Sequence, residues 1–220
     1  MKKSAVIFDI DGLLINSEPL WNKAATEIFR QYGITLTEQQ YATTTGLRSK
    51  EFVAHWLHQF NVPASQNEIA EQKVIDLALE LIDKEATLMP GVEHIFEFFL
   101  QKKFKIGLAT SSPTSLIEWV KDKLNIRSYI HASCSAQRLP HAKPHPQVYL
   151  DCAAAMHTNP LACICFEDSF YGMIAAKAAR MSCVVVPSAD HIKLPHWGAS
   201  DLKLSSLQNF GALHFDMLNN

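Results

Sequence analysis

A short apolar run that ends on two aspartates constrains the fold of this chain more than any other feature. Residues 5–8 are Ala-Val-Ile-Phe, and Asp9, Asp11 and Gly12 follow at once. Such a run is typical of a strand buried on both faces of a parallel sheet. Because alternate residues of a strand point the same way, we expect both carboxylates to face one pocket. Paired carboxylates suit Mg²⁺, although a solvated turn favours the same residue types.

Periodicity divides the remaining chain into a helical block and a stretch where strands and helices alternate. Predicted helices of the block begin near residue 17 and cover residues 38–43, 51–60 and 68–82. Strand patterns follow at residues 104–109, 129–134, 162–166, 183–186 and 201–204, with helical patterns between them. We therefore predict an α/β fold: a Rossmann-like parallel sheet core with helices on both faces (residues 1–15 and 88–220), and an inserted α-helical bundle cap (residues 16–87).

Composition excludes several classes of function. The 220-residue chain has a net charge of −2 with scattered basic residues, which argues against binding to nucleic acid or to an anionic membrane. Apolar segments are too short to span a bilayer. The five cysteines are odd in number and lie mostly within apolar patterns, as reduced thiols do. We expect a cytoplasmic monomer without a nucleic-acid or membrane partner.

Three further sets of polar residues come directly after predicted strands. In chain order they are Thr110, Ser111 and Ser112; Lys143; and Glu167 and Asp168. Each set alone also suits a helix cap or an exposed loop. In open α/β sheets, however, the strand ends form one ligand site, so these sets and the first two aspartates should converge. Carboxylates can hold a metal ion while a lysine and hydroxyls orient phosphoryl oxygens, so the sequence predicts a magnesium and phosphate site.

The four motifs, in this order, resemble those of the haloacid dehalogenase-like hydrolases. The helical insertion is similar to the cap of the β-phosphoglucomutase-like branch, and LLINSEPLW and EDSFYGMIAAKAARM resemble segments of bacterial phosphatases of 2-deoxyglucose 6-phosphate and hexitol phosphates. The resemblance implies an enzyme, a phosphoric monoester hydrolase of small sugar or sugar-alcohol phosphates that forms an aspartyl-phosphate. It also implies Mg²⁺ as cofactor, with Mn²⁺ or Co²⁺ as substitutes.

The resemblance assigns a role to each motif residue. Asp9 is the nucleophile, Asp11 the acid and base, and Thr110 and Lys143 complete the catalytic set. The implied metal ligands are Asp9, Asp11 through its backbone carbonyl, Asp168 and, close by or ligating, Glu167. The predicted substrate-binding residues lie in the second and third motifs and in the cap; they are Thr110, Ser111, Ser112, Lys143, Glu18, Trp21, Gly46 and Arg48.

Three alternatives remain open at this point, because one fold can host different reactions. A dehalogenase of this superfamily needs only the first aspartate and no metal, whereas Asp11, Glu167 and Asp168 are all present. A β-phosphoglucomutase-type mutase is favoured by Lys73, which matches a mutase cap lysine, but Trp21 stands where the mutases carry a histidine. A regulatory phosphate-binding module without turnover is disfavoured, because every catalytic position is retained.

Overall fold

A parallel sheet forms the centre of the computed structural model, which describes residues 1–219. In these residues the sheet has six strands in the order β3-β2-β1-β4-β5-β6, and every neighbouring pair is parallel. The strands are β1 (Ala5–Phe8), β2 (Lys105–Thr110), β3 (Ile130–Ser135), β4 (Cys163–Glu167), β5 (Ser182–Val185) and β6 (Leu202–Lys203). The predicted α/β fold is confirmed. Because β1 lies between β2 and β4, the residues after these strands meet at one sheet edge.

Helices cover both faces of this sheet. The helices are α1 (Glu18–Arg30), α2 (Glu38–Thr44), α3 (Ser49–Gln59), α4 (Asn67–Glu85), α5 (Val92–Gln101), α6 (Thr114–Lys123), α7 (Gln147–Ala155), α8 (Phe170–Ala178) and α9 (Ala212–Asn219). Val6 and Phe8 pack in one buried cluster with α5 and α6, whereas Ala5 and Ile7 pack in another with α7 and α8. This alternation explains the continuous apolar run of β1, since a strand buried on both faces has no polar side.

Helices α1 to α4 follow β1 and pack around a third apolar cluster, which includes Phe29, Trp56 and Val74. The segment that enters this bundle and the segment that leaves it run antiparallel beside each other: Asn16 N–H donates to Thr87 O at 2.9 Å, and Met89 N–H donates to Leu14 O at 3.0 Å. The division into a core and a cap stays a prediction; "the cap" below means residues 16–87. No helix within residues 1–219 is long and apolar enough to cross a membrane.

Candidate active site

A cavity of about 120 Å³ lies between the cap and the carboxyl ends of the strands. Its lining includes ten of the twelve residues predicted from the sequence to form the site; these are Asp9, Asp11, Glu18, Trp21, Gly46, Thr110, Ser111, Ser112, Lys143 and Asp168. Two predicted residues, Glu167 and Arg48, lie outside the lining. The sheet edge therefore brings together side chains that are up to 159 positions apart in the chain (Asp9 and Asp168).

An ion-pair cluster occupies the floor of the cavity. Lys143 Nζ donates to Asp9 Oδ1 and to Glu167 Oε1, each at 2.6 Å, and to Ala109 O at 3.3 Å. Lys143 is 2% exposed and Glu167 is fully buried. Burial alone would lower the pKa of Lys143, but the two carboxylates outweigh it and raise that pKa. Lys143 therefore stays charged beside Asp9.

Glu167 is held by donors on both of its oxygens. Tyr149 OH donates to Oε1 alongside Lys143, while Asp168 N–H, Ser169 N–H and Ser169 Oγ donate to Oε2 at 3.1, 3.2 and 3.0 Å. These bonds fix Glu167 as the partner of Lys143 below the cavity. Tyr149 was not predicted as a site residue, because its place in an apolar helical pattern gives no sign of a polar contact.

Asp11 accepts four hydrogen bonds, two from each side of the cavity. Ser17 Oγ and Trp21 Nε1 in the cap connection and α1 donate to Oδ1 at 2.6 and 2.8 Å. Thr110 Oγ1, in the last residue of β2, and Ser112 Oγ, just after that strand, donate to Oδ2 at 3.3 and 2.6 Å. The hydroxyl of Ser17 does not cap α1, as its position before Glu18 would suggest, because it is directed to Asp11 instead. The Asp11 carboxylate is thus oriented jointly by the cap and the sheet.

The carboxylates at this edge fit a hard divalent cation. One oxygen of each of Asp9, Glu167 and Asp168 lies within 4.8 Å of the other two. Burial, reinforced by Glu167 and Asp11 and opposed by Lys143, raises the pKa of Asp9 to about 8. Burial and the neighbouring Glu167 and Asp9 likewise raise the pKa of Asp168 well above its usual range. A cation would offset this crowding of negative charge, and carboxylate oxygens are ligands that Mg²⁺ prefers.

Gly12 makes the close approach of Asp168 possible, and its substitution gives a direct prediction. Gly12 has a φ of +70°, and a Cβ there would lie 2.1 Å from Asp168 Oδ2. We expect Gly12→Ala to weaken Mg²⁺ binding by about 10-fold or more, as displacement of metal-site residues commonly does. Gly33→Ala is the matched control, since Gly33 has a φ of +72° and no atom of the described residues lies within 4 Å of its Cβ position.

Calorimetric titration with Mg²⁺ distinguishes the two glycine variants. Both substitutions cost about 1 kcal/mol of stability through the positive φ. Only Gly12→Ala should also change the Mg²⁺ dissociation constant. Equal constants for Gly12→Ala, Gly33→Ala and the unmodified protein would contradict a metal site at Asp168.

The cap wall of the cavity is polar near α1 and apolar deeper in the bundle. Thr45 Oγ1 donates to Glu18 Oε1 at 2.8 Å, and Trp21, Asn22 and Ser49 also line the cavity. The apolar part consists of Leu47, Tyr41, Phe52 and Val74. Asn22 was not predicted, although its position four residues after Glu18 places it on the same helix face. The wall can therefore offer both hydrogen-bond partners and an apolar surface to a small molecule.

Two cap residues considered from the sequence do not reach this wall. Lys73 Nζ is exposed and donates to Gln31 Oε1 at 3.2 Å. Arg48 is 4% exposed, pairs with Glu51, and directs Nη1 to backbone carbonyls of residues 136–139. Arg48 thus lies outside the cavity lining with its guanidinium engaged by protein acceptors, and its contact with the substrate stays a prediction.

Comparison with known proteins agrees with this geometry. A family model described as "Haloacid dehalogenase-like hydrolase" matches residues 6–186. Hexitol phosphatase B of Escherichia coli K12 is 40% identical over 211 residues, which cover 94% of each chain. A fructose-1-phosphate phosphatase of the same organism is 28% identical over 183 residues, covering 83% of this chain and 96% of the relative.

Similarity of fold extends to a solved structure. The β-phosphoglucomutase of Clostridium difficile superposes with a TM-score of 0.87 at 22% identity, covering 99% of this chain and 97% of that one. At this level of identity the likeness concerns the fold alone.

Proposed function

The chain belongs to the haloacid dehalogenase-like hydrolase family, and we propose that it is a Mg²⁺-dependent phosphatase of small sugar or sugar-alcohol phosphates. The observation that carries this proposal is that two aspartates line one cavity with different partners. Asp9 accepts a hydrogen bond from the buried Lys143, whereas Asp11 accepts hydrogen bonds from three hydroxyls and one indole. The relatives named as phosphatases of a hexitol phosphate and of fructose 1-phosphate support the substrate class.

In the proposed reaction, Asp9 and Asp11 divide nucleophilic attack and proton transfer. A carboxylate oxygen of Asp9 forms a bond to phosphorus as the bond from phosphorus to the sugar oxygen breaks, and the leaving oxygen takes a proton from Asp11. Asp11, now a carboxylate, then removes a proton from water, whose oxygen attacks the aspartyl-phosphate. Inorganic phosphate leaves, and both aspartates return to their starting states.

The other polar groups of the floor orient the phosphoryl group. Lys143 offsets the negative charge on Asp9 and on the transferring group. Thr110, Ser111 and Ser112 line the same cavity, and their hydroxyls would exchange their present acceptors, Asp11 and Gly46 O, for phosphoryl oxygens. Asp9 and Asp168, with the Asp11 backbone carbonyl and Glu167 close by, would hold the metal ion. When bound, Mg²⁺ supplies positive charge that offsets the charge of the phosphoryl oxygens. We expect Mn²⁺ and Co²⁺ to substitute.

We assign the sugar portion to the polar part of the cap wall. Glu18, Asn22, Thr45 and Ser49 can exchange hydrogen bonds with hydroxyl groups, and Trp21 offers an apolar face. Lys73 is exposed and engaged with Gln31, so it lends no support to the mutase alternative.

The proposed enzyme acts as a monomer in the cytoplasm. One chain supplies the whole lining of the described cavity, so the proposed reaction requires no second copy. The five cysteines are unpaired, which suits a reducing compartment.

Phosphate release from a panel of substrates tests the proposal. The panel contains hexose, deoxyhexose, hexitol and pentose phosphates, assayed with Mg²⁺ and with a chelator. We expect release that requires the metal and is fastest for hexose or hexitol phosphates. Conversion of β-glucose 1-phosphate to glucose 6-phosphate without phosphate release would instead establish the mutase.

Thermal stability should respond to Mg²⁺ more strongly at higher pH. The raised pKa values mean that a cation competes with protons on Asp9 and Asp168. As pH rises from about 6 to about 8, this competition weakens, so the Mg²⁺-induced increase in Tm should grow. At a Mg²⁺ concentration about 100 times the Kd, we expect an increase of about 5 to 10 °C at the higher pH.

Differential scanning fluorimetry with and without Mg²⁺ at both pH values measures this effect. Asp168→Asn should lose most of the increase in Tm, whereas Asp83→Asn, an exposed aspartate of the cap that accepts from Trp119, should retain it. An increase that is independent of pH, or is unchanged in Asp168→Asn, would place the cation elsewhere.

A further inference from the structure

One short cap segment contacts three of the loops that carry the site. We call residues 46–48 the clasp. Gly46 O accepts a hydrogen bond from Ser111 Oγ at 3.2 Å, and a Cβ on Gly46 would lie 2.7 Å from Ser169 Oγ. Arg48 reaches the loop that follows β3. The clasp thus touches the chain after β2, after β3 and after β4 within three residues.

Arg48 makes the most specific of these contacts. Its Nη1 donates to Ala136 O and Leu139 O, each at 2.7 Å, and to Gln137 O at 3.2 Å. Nε donates to Glu51 Oε2 at 2.8 Å, and Nη2 donates to Glu51 Oε1. A planar guanidinium can make both sets of bonds at once, since one edge binds a carboxylate while the other binds carbonyl groups. Glu51 thus fixes the orientation of the Arg48 side chain, and the opposite edge of its guanidinium binds the turn at residues 136–139.

The turn bound by Arg48 begins the loop that delivers Lys143. Ala136–Arg138 is a 3₁₀ turn directly after β3, and Lys143 follows a few residues later. The same turn is joined to the chain after β2, because Ser135 Oγ donates to Ser112 O at 2.5 Å. Arg48 therefore holds the cap against a turn whose backbone leads on to Lys143 and which the Ser135 hydroxyl joins to Ser112.

From these contacts we infer that Arg48 is a positioning residue that fastens the closed cap to the turn at residues 136–139. It keeps the cap over Asp9 and orders the loop of Lys143, and it contacts no part of the substrate. Loss of Arg48 should consequently slow hydrolysis of every phosphate ester by a similar factor, instead of altering the choice of sugar. This kinetic consequence rests on the proposed function.

Kinetics with two unlike substrates test the inference. p-Nitrophenyl phosphate lacks sugar hydroxyls, whereas sorbitol 6-phosphate presents them to the cap wall. For Arg48→Met we expect kcat to fall by about 10- to 100-fold for both substrates, as when closure of an active site is impaired. Arg48→Lys, which keeps a donor but not the fork to Glu51, should recover part of the loss for both.

A matched control and a second variant accompany this test. Arg30 is also a cap arginine three residues from a glutamate, but it is exposed and pairs with Glu27 at 3.5 Å. Arg30→Met should leave both rates unchanged. Should Arg48→Met fail to fold, Glu51→Gln serves instead, since it retains Arg48 but weakens its orientation, and we expect a smaller equal loss. A loss confined to sorbitol 6-phosphate, or no loss, would overturn the inference.

Hydrogen–deuterium exchange tests the same inference without any catalytic assay. In Arg48→Met we expect faster exchange of backbone amides across residues 136–146, with no change in Arg30→Met. Unaltered exchange of these amides would overturn the inferred role of Arg48 even if the enzyme were a phosphatase. Faster exchange in a protein that released no phosphate from any ester would instead refute the proposed function alone.

Discussion

Asp9→Asn is expected to lower phosphate release by at least about 10⁴-fold, because an amide cannot form the phosphoryl bond that the proposed reaction requires. The substitution should leave the fold intact. Burial raises the pKa of Asp9 to about 8, so a neutral side chain of the same size already suits this position in the absence of a metal ion. The loss should therefore lie in kcat, without a decrease in Tm.

Phosphate release and mass spectrometry together check the role of Asp9. During turnover, unmodified protein quenched in acid should carry one phosphoryl group on the peptide that contains residues 5–14. Asp9→Asn should show none, whereas Asp83→Asn should match the unmodified protein in rate and in labelling. Residual release above a few per cent in Asp9→Asn, or label on another peptide, would assign the nucleophile to a different residue.

Lys143→Met is the second change from which we expect a large effect, since it removes the cation shared by two buried carboxylates. Breaking a buried pair in this way costs about 3 to 5 kcal/mol of unfolding free energy. Activity should fall by about 10³-fold, because the charge on Asp9 and on the phosphoryl group loses its nearest positive partner. Lys143 opposes the rise in the pKa of Asp9, so its removal raises that pKa further.

The stability cost of Lys143→Met should depend on pH in a defined direction. A carboxyl group whose pKa is higher in the folded state keeps its proton while the unfolded chain releases one, so stability falls as pH rises through this range. In the unmodified protein Asp9 keeps its proton up to about pH 8, so the extra fall in the free energy of unfolding of Lys143→Met should appear above about pH 8, where the contribution of Asp9 to the unmodified protein levels off. Urea denaturation without Mg²⁺ at several pH values measures this slope.

Lys3→Met is the matched control for Lys143→Met. Lys3 is also largely buried, but within residues 1–219 its Nζ donates only to backbone carbonyls, those of Leu161 and Cys163. Its removal should cost about 1 kcal/mol at every pH and leave activity unchanged. If both lysine variants lost the same stability with the same dependence on pH, Lys143 would not stabilise the buried carboxylates of Asp9 and Glu167.

Local patterns in the sequence were sufficient to predict the strands, most of the helices and the membership of the cavity floor. Asp9, Thr110, Lys143 and Asp168 each follow a predicted strand, and parallel strands end at one edge of a sheet, so their convergence follows from chain order alone. The extent of the C-terminal helix α9 (Ala212–Asn219) was not predicted. That segment buries no residue fully, so its apolar pattern is weak.

Local patterns could not predict which distant segment a polar side chain contacts. Arg48 has the same local sequence whether it faces a substrate or the turn after β3, and only the docking of the cap on the sheet selects the turn. Tyr149 likewise has the pattern of an apolar core residue until the packing of α7 brings its hydroxyl to Glu167. Periodicity records which side of an element is buried, but the partner of a buried polar group depends on tertiary contacts between distant segments.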